Sequence, residues 1–211
     1  MIRVNDPFCC RAANVRGKDC RFDFVNAKDA SYPDAWLGSW AVVSVDREMW
    51  TRCPTTYDGQ SGVLSISLTK ARTDSVWVAY FAPFSYEQHQ KLMADCQRTS
   101  SHSGAQMCSV SALGHSLEGR DIDVVTAGTG PLTCWILARQ HPGESMAEWW
   151  MTGFLPRLLD CDDAVARRIR EIACVQALNA PPRPRNEAVC ALCLPSLLQP
   201  SIAPPPILCS R

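Results

Sequence analysis

The sequence has no surplus of charge of either sign, because 21 Lys and Arg residues balance 21 Asp and Glu residues. Binding to a nucleic-acid backbone requires extra positive charge to neutralise phosphates, so the composition argues against a nucleic-acid-binding protein. Histidine is also scarce: the chain has four histidines, and His141 is the last of them. A metal site that uses histidine must therefore draw on His89, His102, His115 or His141.

The start of the chain lacks an uninterrupted apolar run, because six charged residues are spread through residues 1–20. This argues against a secretory signal, and we expect a cytoplasmic protein whose 12 cysteines are reduced thiols. Residues 188–210 carry no charge and are about as long as a membrane span, but five of them are proline. Proline leaves helix hydrogen bonds unmade that lipid cannot replace, so we expect no transmembrane helix and no membrane partner.

Aromatic residues, histidine, glycine and lysine are absent after residue 173, whereas 8 of the 15 prolines lie there. This proline spacing leaves no room for a useful strand or helix, and the composition is too poor in aromatics to complete a core. We therefore expect residues 174–211 to be a disordered tail or the product of a shifted reading frame. The domain that precedes these residues would then be incomplete.

Alternating apolar and polar residues predict strands in the first part of the chain. The alternation is clear at residues 20–24 and 64–68, and further apolar runs lie at residues 40–45 and 76–81. Tyr-Pro-Asp at residues 32–34 and Tyr-Asp-Gly at residues 57–59 are typical of turns. We predict an antiparallel β-sandwich within residues 1–100.

A second unit is predicted in residues 101–173, after a serine-rich polar segment at residues 98–106. Before this segment, Ser85 is a suitable cap for a helix whose apolar stripe includes His89, which we interpret as a packed histidine. Three apolar runs follow the segment, at residues 108–113, 122–125 and 132–138, and the period becomes helical from Glu144. Strand, turn and helix in this order are typical of the start of an α/β domain.

Two helices are predicted in the second unit. Pro142 suits the first turn of the earlier helix, and Pro156 should end or kink it. Asp162 or Asp163 should cap the later helix. The predicted buried stripe of the earlier helix consists of Met146, Trp149, Trp150 and Phe154.

The candidate metal ligands are His141 and Glu144, which follow an apolar strand. At positions i and i+3 of a turn entering a helix, an imidazole and a carboxylate can converge, and both are good zinc donors. The same spacing also occurs in solvated turns, and Arg139 and Gln140 beside it are either outer partners of the imidazole or surface residues. A weaker alternative is half of a zinc knuckle at Cys190 and Cys193, completed by Cys174 and Cys209; the other reading is incidental thiols.

Residues 138–149, ARQHPGESMAEW, resemble the first zinc-ligand segment of the zinc metallocarboxypeptidases, in the cytosolic carboxypeptidase branch that includes tubulin deglutamylases. Upstream segments are similar to the β-sandwich domain that precedes the catalytic domain in that branch, and to its junction with that domain. They are YPDAW at 32–36, DREMWTR at 46–52, PTTYDG at 54–59, YFAPFSYE at 80–87 and LEGRDID at 117–123. The resemblance spans roughly residues 5–173. It implies an α+β protein: an antiparallel β-sandwich, then the start of an α/β zinc carboxypeptidase domain.

The resemblance implies a zinc-dependent exopeptidase acting on C-terminal residues of peptide or protein tails, acidic or tubulin-like ones included. Carried over residue by residue, it assigns His141 and Glu144 as the first two zinc ligands. The family's third ligand, a later histidine, has no counterpart here, and neither Glu171 nor Glu187 lies in a motif of its general base. We therefore expect the chain to be inactive as it stands. The alternatives are a noncatalytic protein-binding module and a nonfunctional fragment.

Overall fold

The computed structural model describes residues 8–141 and 143–179. Within this part of the chain the elements fall into two groups that follow one another in sequence, each with its own hydrophobic core. The first group contains seven strands and two short 3-10 helices, at Ala27–Asp29 and Pro33–Trp36. The strands are β1 (Cys9–Ala13), β2 (Cys20–Phe24), β3 (Val42–Ser44), β4 (Thr51–Arg52), β5 (Thr55–Asp58), β6 (Val63–Leu68) and β7 (Ser75–Ala79).

The first group is an antiparallel β-sandwich, as predicted. One sheet has the order β1-β7-β3-β4 and the other has the order β2-β6-β5, with every pairing antiparallel. Strand β2 alternates as expected, and its pairing with β6 brings Phe24 opposite Leu64. Both of these side chains are buried, together with Trp36 from the second 3-10 helix. These residues belong to one core shared by the two sheets.

The second group combines helices with a mixed sheet. Its elements are α1 (Tyr86–Arg98), β8 (Ser109–His115), β9 (Asp121–Ala127), β10 (Leu132–Ala138), α2 (Ser145–Leu159), α3 (Ala164–Ile172) and β11 (Ala173–Asn179). The sheet order is β10-β11-β9-β8; β10 and β11 are parallel, and the other pairs are antiparallel. A β-sandwich followed by helices on a mixed sheet confirms the predicted α+β architecture.

Strand β11 corrects the expectation that no strand follows residue 173. It lies between β9 and β10, and Val175, Ala177 and Leu178 are buried. These side chains help to form the core, so residues 174–179 do not belong to a disordered tail. The rest of the predicted tail, including Cys190 and Cys193, lies outside the described residues.

Helix α1 packs with the second group. Leu92, Met93 and Cys96 on its buried face join the core that contains Val125 of β9 and Leu155 of α2. Ser85 caps the helix as predicted: its hydroxyl accepts a hydrogen bond from Gln88 N, while the Gln88 side chain accepts one from Ser85 N at 2.7 Å. The domain boundary at residue 100 stays a prediction, although the core that α1 shares begins at Phe84.

Helix α2 differs from its prediction in two respects. Met146 and Trp150 are exposed, so the predicted stripe is wrong for these two residues, whereas Trp149 and Phe154 are partly buried against the core. The buried face instead consists of Ser145, Glu148, Met151, Leu155, Leu158 and Leu159. Pro156 does not end the helix, which continues to Leu159; its exposed ring lies in the last turn, where the missing N–H removes one hydrogen bond.

Two further expectations concern the rest of the described chain. Asp163 caps α3, accepting hydrogen bonds from Val165 N and Ala166 N at 2.8 and 2.9 Å. The nine cysteines in the described residues are all free thiols. Among the helices in those residues, none is both long and apolar enough to cross a membrane.

Candidate metal centre

His141 and Glu144 converge in the turn that joins β10 to α2. The Glu144 backbone N–H donates to the His141 carbonyl at 3.0 Å, which closes the turn. Glu144 Oε2 accepts a hydrogen bond from His141 N at 3.3 Å, and Glu144 Oε1 lies 2.6 Å from His141 Nδ1. The turn therefore brings an imidazole nitrogen and a carboxylate oxygen close enough to share one metal ion.

The convergence point is open to solvent. The His141 side chain is 60% exposed and that of Glu144 is 45% exposed. Within residues 8–141 and 143–179, no third His, Cys, Asp or Glu lies near enough to form a three-ligand group with them. The described residues thus fit two positions of a catalytic zinc site, which needs three protein ligands and an open fourth position.

Arg139 fixes the backbone beside His141. Its φ of 50° lies in the left-handed region, which costs a side-chain-bearing residue about 1–2 kcal/mol. Its guanidinium is buried, donates to the Phe84 carbonyl at 2.9 Å and pairs with the Glu148 carboxylate. The two readings left open for Arg139 are therefore replaced by a third, since it anchors the turn to the interior.

A buried charge network continues from Arg139 under the turn. His89 Nδ1 lies 3.1 Å from Glu148 Oε1, and His89 Nε2 lies 2.8 Å from Asp123 Oδ2. Burial alone would lower the pKa of His89, but hydrogen bonds and negative charges from Asp123 and Glu148 outweigh it and raise the pKa to about 9. At neutral pH His89 is therefore protonated, and it lies in this network with Arg139, Asp123 and Glu148.

The segment that leaves the β-sandwich is tied to the first turns of α2. The Ala82 carbonyl accepts hydrogen bonds from Ser145 Oγ at 2.9 Å and from Trp149 Nε1 at 3.0 Å. The Phe84 ring packs edge-to-face on Trp149 with centroids 5.1 Å apart. Ala82 and Phe84 thus connect the end of the β-sandwich to the start of α2, next to the turn that carries His141.

Comparison with known proteins shows what this chain is similar to. Residues 3–81 match the model of the cytosolic carboxypeptidase N-terminal domain. A metallo-carboxypeptidase from Burkholderia cenocepacia superposes with a TM-score of 0.73 and 36% identity, over 82% of this chain and 46% of that one. Residues 3–81 are thus similar to the N-terminal domain of the cytosolic carboxypeptidases, and the chain resembles metallo-carboxypeptidases of known structure.

Two further relatives extend the comparison. A metallo-carboxypeptidase from Pseudomonas aeruginosa, in complex with (2-guanidinoethylmercapto)succinic acid, gives a TM-score of 0.70 and 34% identity over 82% of this chain and 45% of that one. An uncharacterized protein of Zymomonas mobilis is 45% identical over 148 residues, which are 70% of this chain and 37% of that protein. The chain thus spans less than half the length of these relatives.

The other three histidines of the chain have partners away from His141. His89 is packed, as predicted, and belongs to the buried network. His102 Nε2 lies 2.9 Å from Asp162, and His115 Nδ1 lies 2.8 Å from Asp121. Neither joins His141 in a ligand group within the described residues.

The buried network is not evident from the sequence alone, although the sequence carries one signal of it. Glu148 lies three residues before Met151 and seven before Leu155, so it shares the helical face that α2 buries. A carboxylate in phase with buried apolar residues indicates a buried partner, because an unpaired charge is too costly inside a protein. The network comes from four separate elements or connections, which no local spacing reveals.

Proposed function

We propose that His141 and Glu144 are two ligands of a zinc ion in a metallo-carboxypeptidase site. The observation that carries the proposal is their convergence to 2.6 Å in a turn anchored by Arg139. The metallo-carboxypeptidase neighbours support the same reaction class. Bound zinc would supply a Lewis acid for hydrolysis at the C-terminal residue of a peptide or protein tail. Acidic tails are the first substrates to test.

Chain residues do the positioning in this proposal. The closed turn holds the side chains of His141 and Glu144 close together. The guanidinium of Arg139 connects this turn to Phe84 and Glu148. With two ligands among the described residues, we infer that the 211-residue chain does not itself release C-terminal residues. A catalytic site of this class needs a third ligand and a general base in addition.

Histidine-selective NMR tests the ligand assignment. The chain has four histidines, so the His141 signal can be assigned by comparison with a His141→Gln variant. Zinc added to the chain should shift the His141 signal, and Glu144→Gln should weaken that response by roughly tenfold or more. Glu171→Gln, an exposed carboxylate on α3, is the matched control and should leave the response unchanged. A His141 signal whose chemical shift does not change on addition of zinc would contradict the assignment.

Peptide assays test the inferred lack of turnover. Incubation with peptides ending in glutamate, with and without zinc, should release no free amino acid. Zinc-dependent release by the purified 211-residue chain would refute this part of the proposal. Tight binding of an acidic peptide without cleavage, unaffected by a chelator, would instead support the noncatalytic binding module.

Genomic and transcript sequencing tests the reading-frame hypothesis. The informative codons are those for residues 180–211, because β11 places residues 173–179 within the folded sheet. If another frame encodes a later histidine and glutamate, His141 and Glu144 gain their missing partners. If the frame is confirmed, the hypothesis of a shifted frame is wrong.

A further inference from the structure

A second group of metal-ligating side chains lies away from His141. His102, in the connection between α1 and β8, meets Cys161 and Asp162 in the connection between α2 and α3. One potential ligand atom from each of these residues lies within 4.8 Å of the others. His102 Nε2 and Asp162 Oδ1 are 2.9 Å apart, although 60 residues separate them in sequence.

The connection that carries His102 is a tight turn. The Ser101 N–H donates to the Ala105 carbonyl at 2.8 Å, and the Gly104 N–H donates to the Ser101 carbonyl at 2.9 Å. Gly104 has a φ of +82°, a conformation that favours glycine. Ser101 Oγ also accepts a hydrogen bond from Ala105 N at 3.2 Å. The backbone on both sides of His102 is therefore held.

The opposite connection is held by hydrogen bonds of its own. Asp160 Oδ1 accepts from the Asp162 N–H at 2.8 Å, and the Asp160 carbonyl accepts from Arg170 Nη1 at 3.0 Å. Asp163 caps α3 and pairs with Arg157, so its carboxylate is already engaged. Cys161 and Asp162 each keep a potential ligand atom within 4.8 Å of a ring nitrogen of His102.

The three donors are an imidazole nitrogen, a thiol sulfur and a carboxylate oxygen, which together suit zinc. Ligand bonds of about 2.0–2.3 Å place tetrahedral donors roughly 3–4 Å apart, and the three candidate ligand atoms of this group all lie within 4.8 Å of one another. We propose that His102, Cys161 and Asp162 bind a zinc ion at the surface of the second group of elements. The ion joins the α1–β8 and α2–α3 connections and leaves a fourth position open to solvent.

This site is independent of the proposed carboxypeptidase function, because it shares no residue with His141 and Glu144. Bound zinc stabilises the folded chain by binding it in preference to the unfolded chain. The open fourth position and the exposure of His102 and Asp162 make the ion exchangeable. The free energy of unfolding of the second group of elements therefore rises with the concentration of free zinc.

Cobalt absorption tests the proposal, since a cysteine thiolate bound to Co²⁺ gives a near-ultraviolet charge-transfer band. The metal-free 211-residue chain titrated with Co²⁺ should show this band, and Zn²⁺ should displace it. Cys161→Ser should abolish the band, and His102→Ala should weaken Co²⁺ binding at least tenfold. Both residues are at least partly exposed, so circular dichroism should show an unchanged fold.

Matched variants separate this site from the other donors. Cys134→Ser removes another exposed thiol, and His141→Ala removes the other candidate ligand; both should keep the band. The double variant Cys190→Ser, Cys193→Ser should keep it too. Absence of the band in the unmodified chain, its survival in Cys161→Ser, or unchanged affinity in His102→Ala would overturn the proposal.

Discussion

Removing the charge of Glu148 should destabilise the protein strongly. Glu148 is fully buried and faces two cations, Arg139 and the protonated His89. Glu148→Gln keeps the shape of the side chain but removes the negative charge that faces Arg139 and His89. Losing one partner of a buried pair costs about 3–5 kcal/mol. We expect the free energy of unfolding at pH 7 to fall by that amount.

Urea unfolding followed by tryptophan fluorescence measures this change. With a denaturant slope of about 2 kcal/mol per molar urea, the midpoint should fall by about 2 M. The control is Glu171→Gln, since Glu171 is half-exposed and pairs with Arg168 on the surface of α3. That change should cost less than about 0.5 kcal/mol. If Glu148→Gln costs no more than Glu171→Gln, the network does not hold the fold as argued.

Two further perturbations follow from the same structure. The pKa of His89 is about 9 in the folded chain and 6.5 when unperturbed. Protonation of His89 therefore adds of the order of 3 kcal/mol to the free energy of unfolding below pH 6.5, and this stabilisation is lost as the pH rises through 9. Urea midpoints at pH 6.5 and 9.5 should show this loss, and His89→Gln should reduce it; equal losses would refute the assignment. Gly128→Ala should lower the melting temperature, because the φ of Gly128 is +91° and an added Cβ would lie 2.8 Å from Arg170 Cα. The control is Gly153→Ala in α2, where an added Cβ has no atom within 4 Å; this change should raise the free energy of unfolding by about 0.5–1 kcal/mol. A melting temperature that rises in Gly128→Ala would contradict this account.

Periodicity predicted the elements whose burial is one-sided. Strand β2 alternates because one face meets the sandwich core, and α1 shows its stripe because one face meets the second core. The His141 and Glu144 pair was also predictable, because a spacing of three across a turn is local. In each case the neighbours along the chain carry the information.

The missed features depend on distant partners. Strand β11 was assigned to a tail by its composition, yet its place is set by β9 and β10, which flank it on both sides. The buried face of α2 includes Glu148 and excludes Trp150, because Arg139 and His89 supply the partners for the carboxylate. Hydrophobicity alone would predict that Trp150 is buried and Glu148 exposed, which is the opposite of what the structure shows.

The position of β11 also sets an order of events during folding. The β-sandwich pairs its strands within residues 9–79, so it can form before the rest of the chain is available. The second sheet cannot close in the same way, because β9 and β10 are consecutive in sequence but joined only through β11. Until residues 173–179 arrive, β9 and β10 each present an unpaired edge that invites association with other chains. Chaperone protection should matter most in that interval.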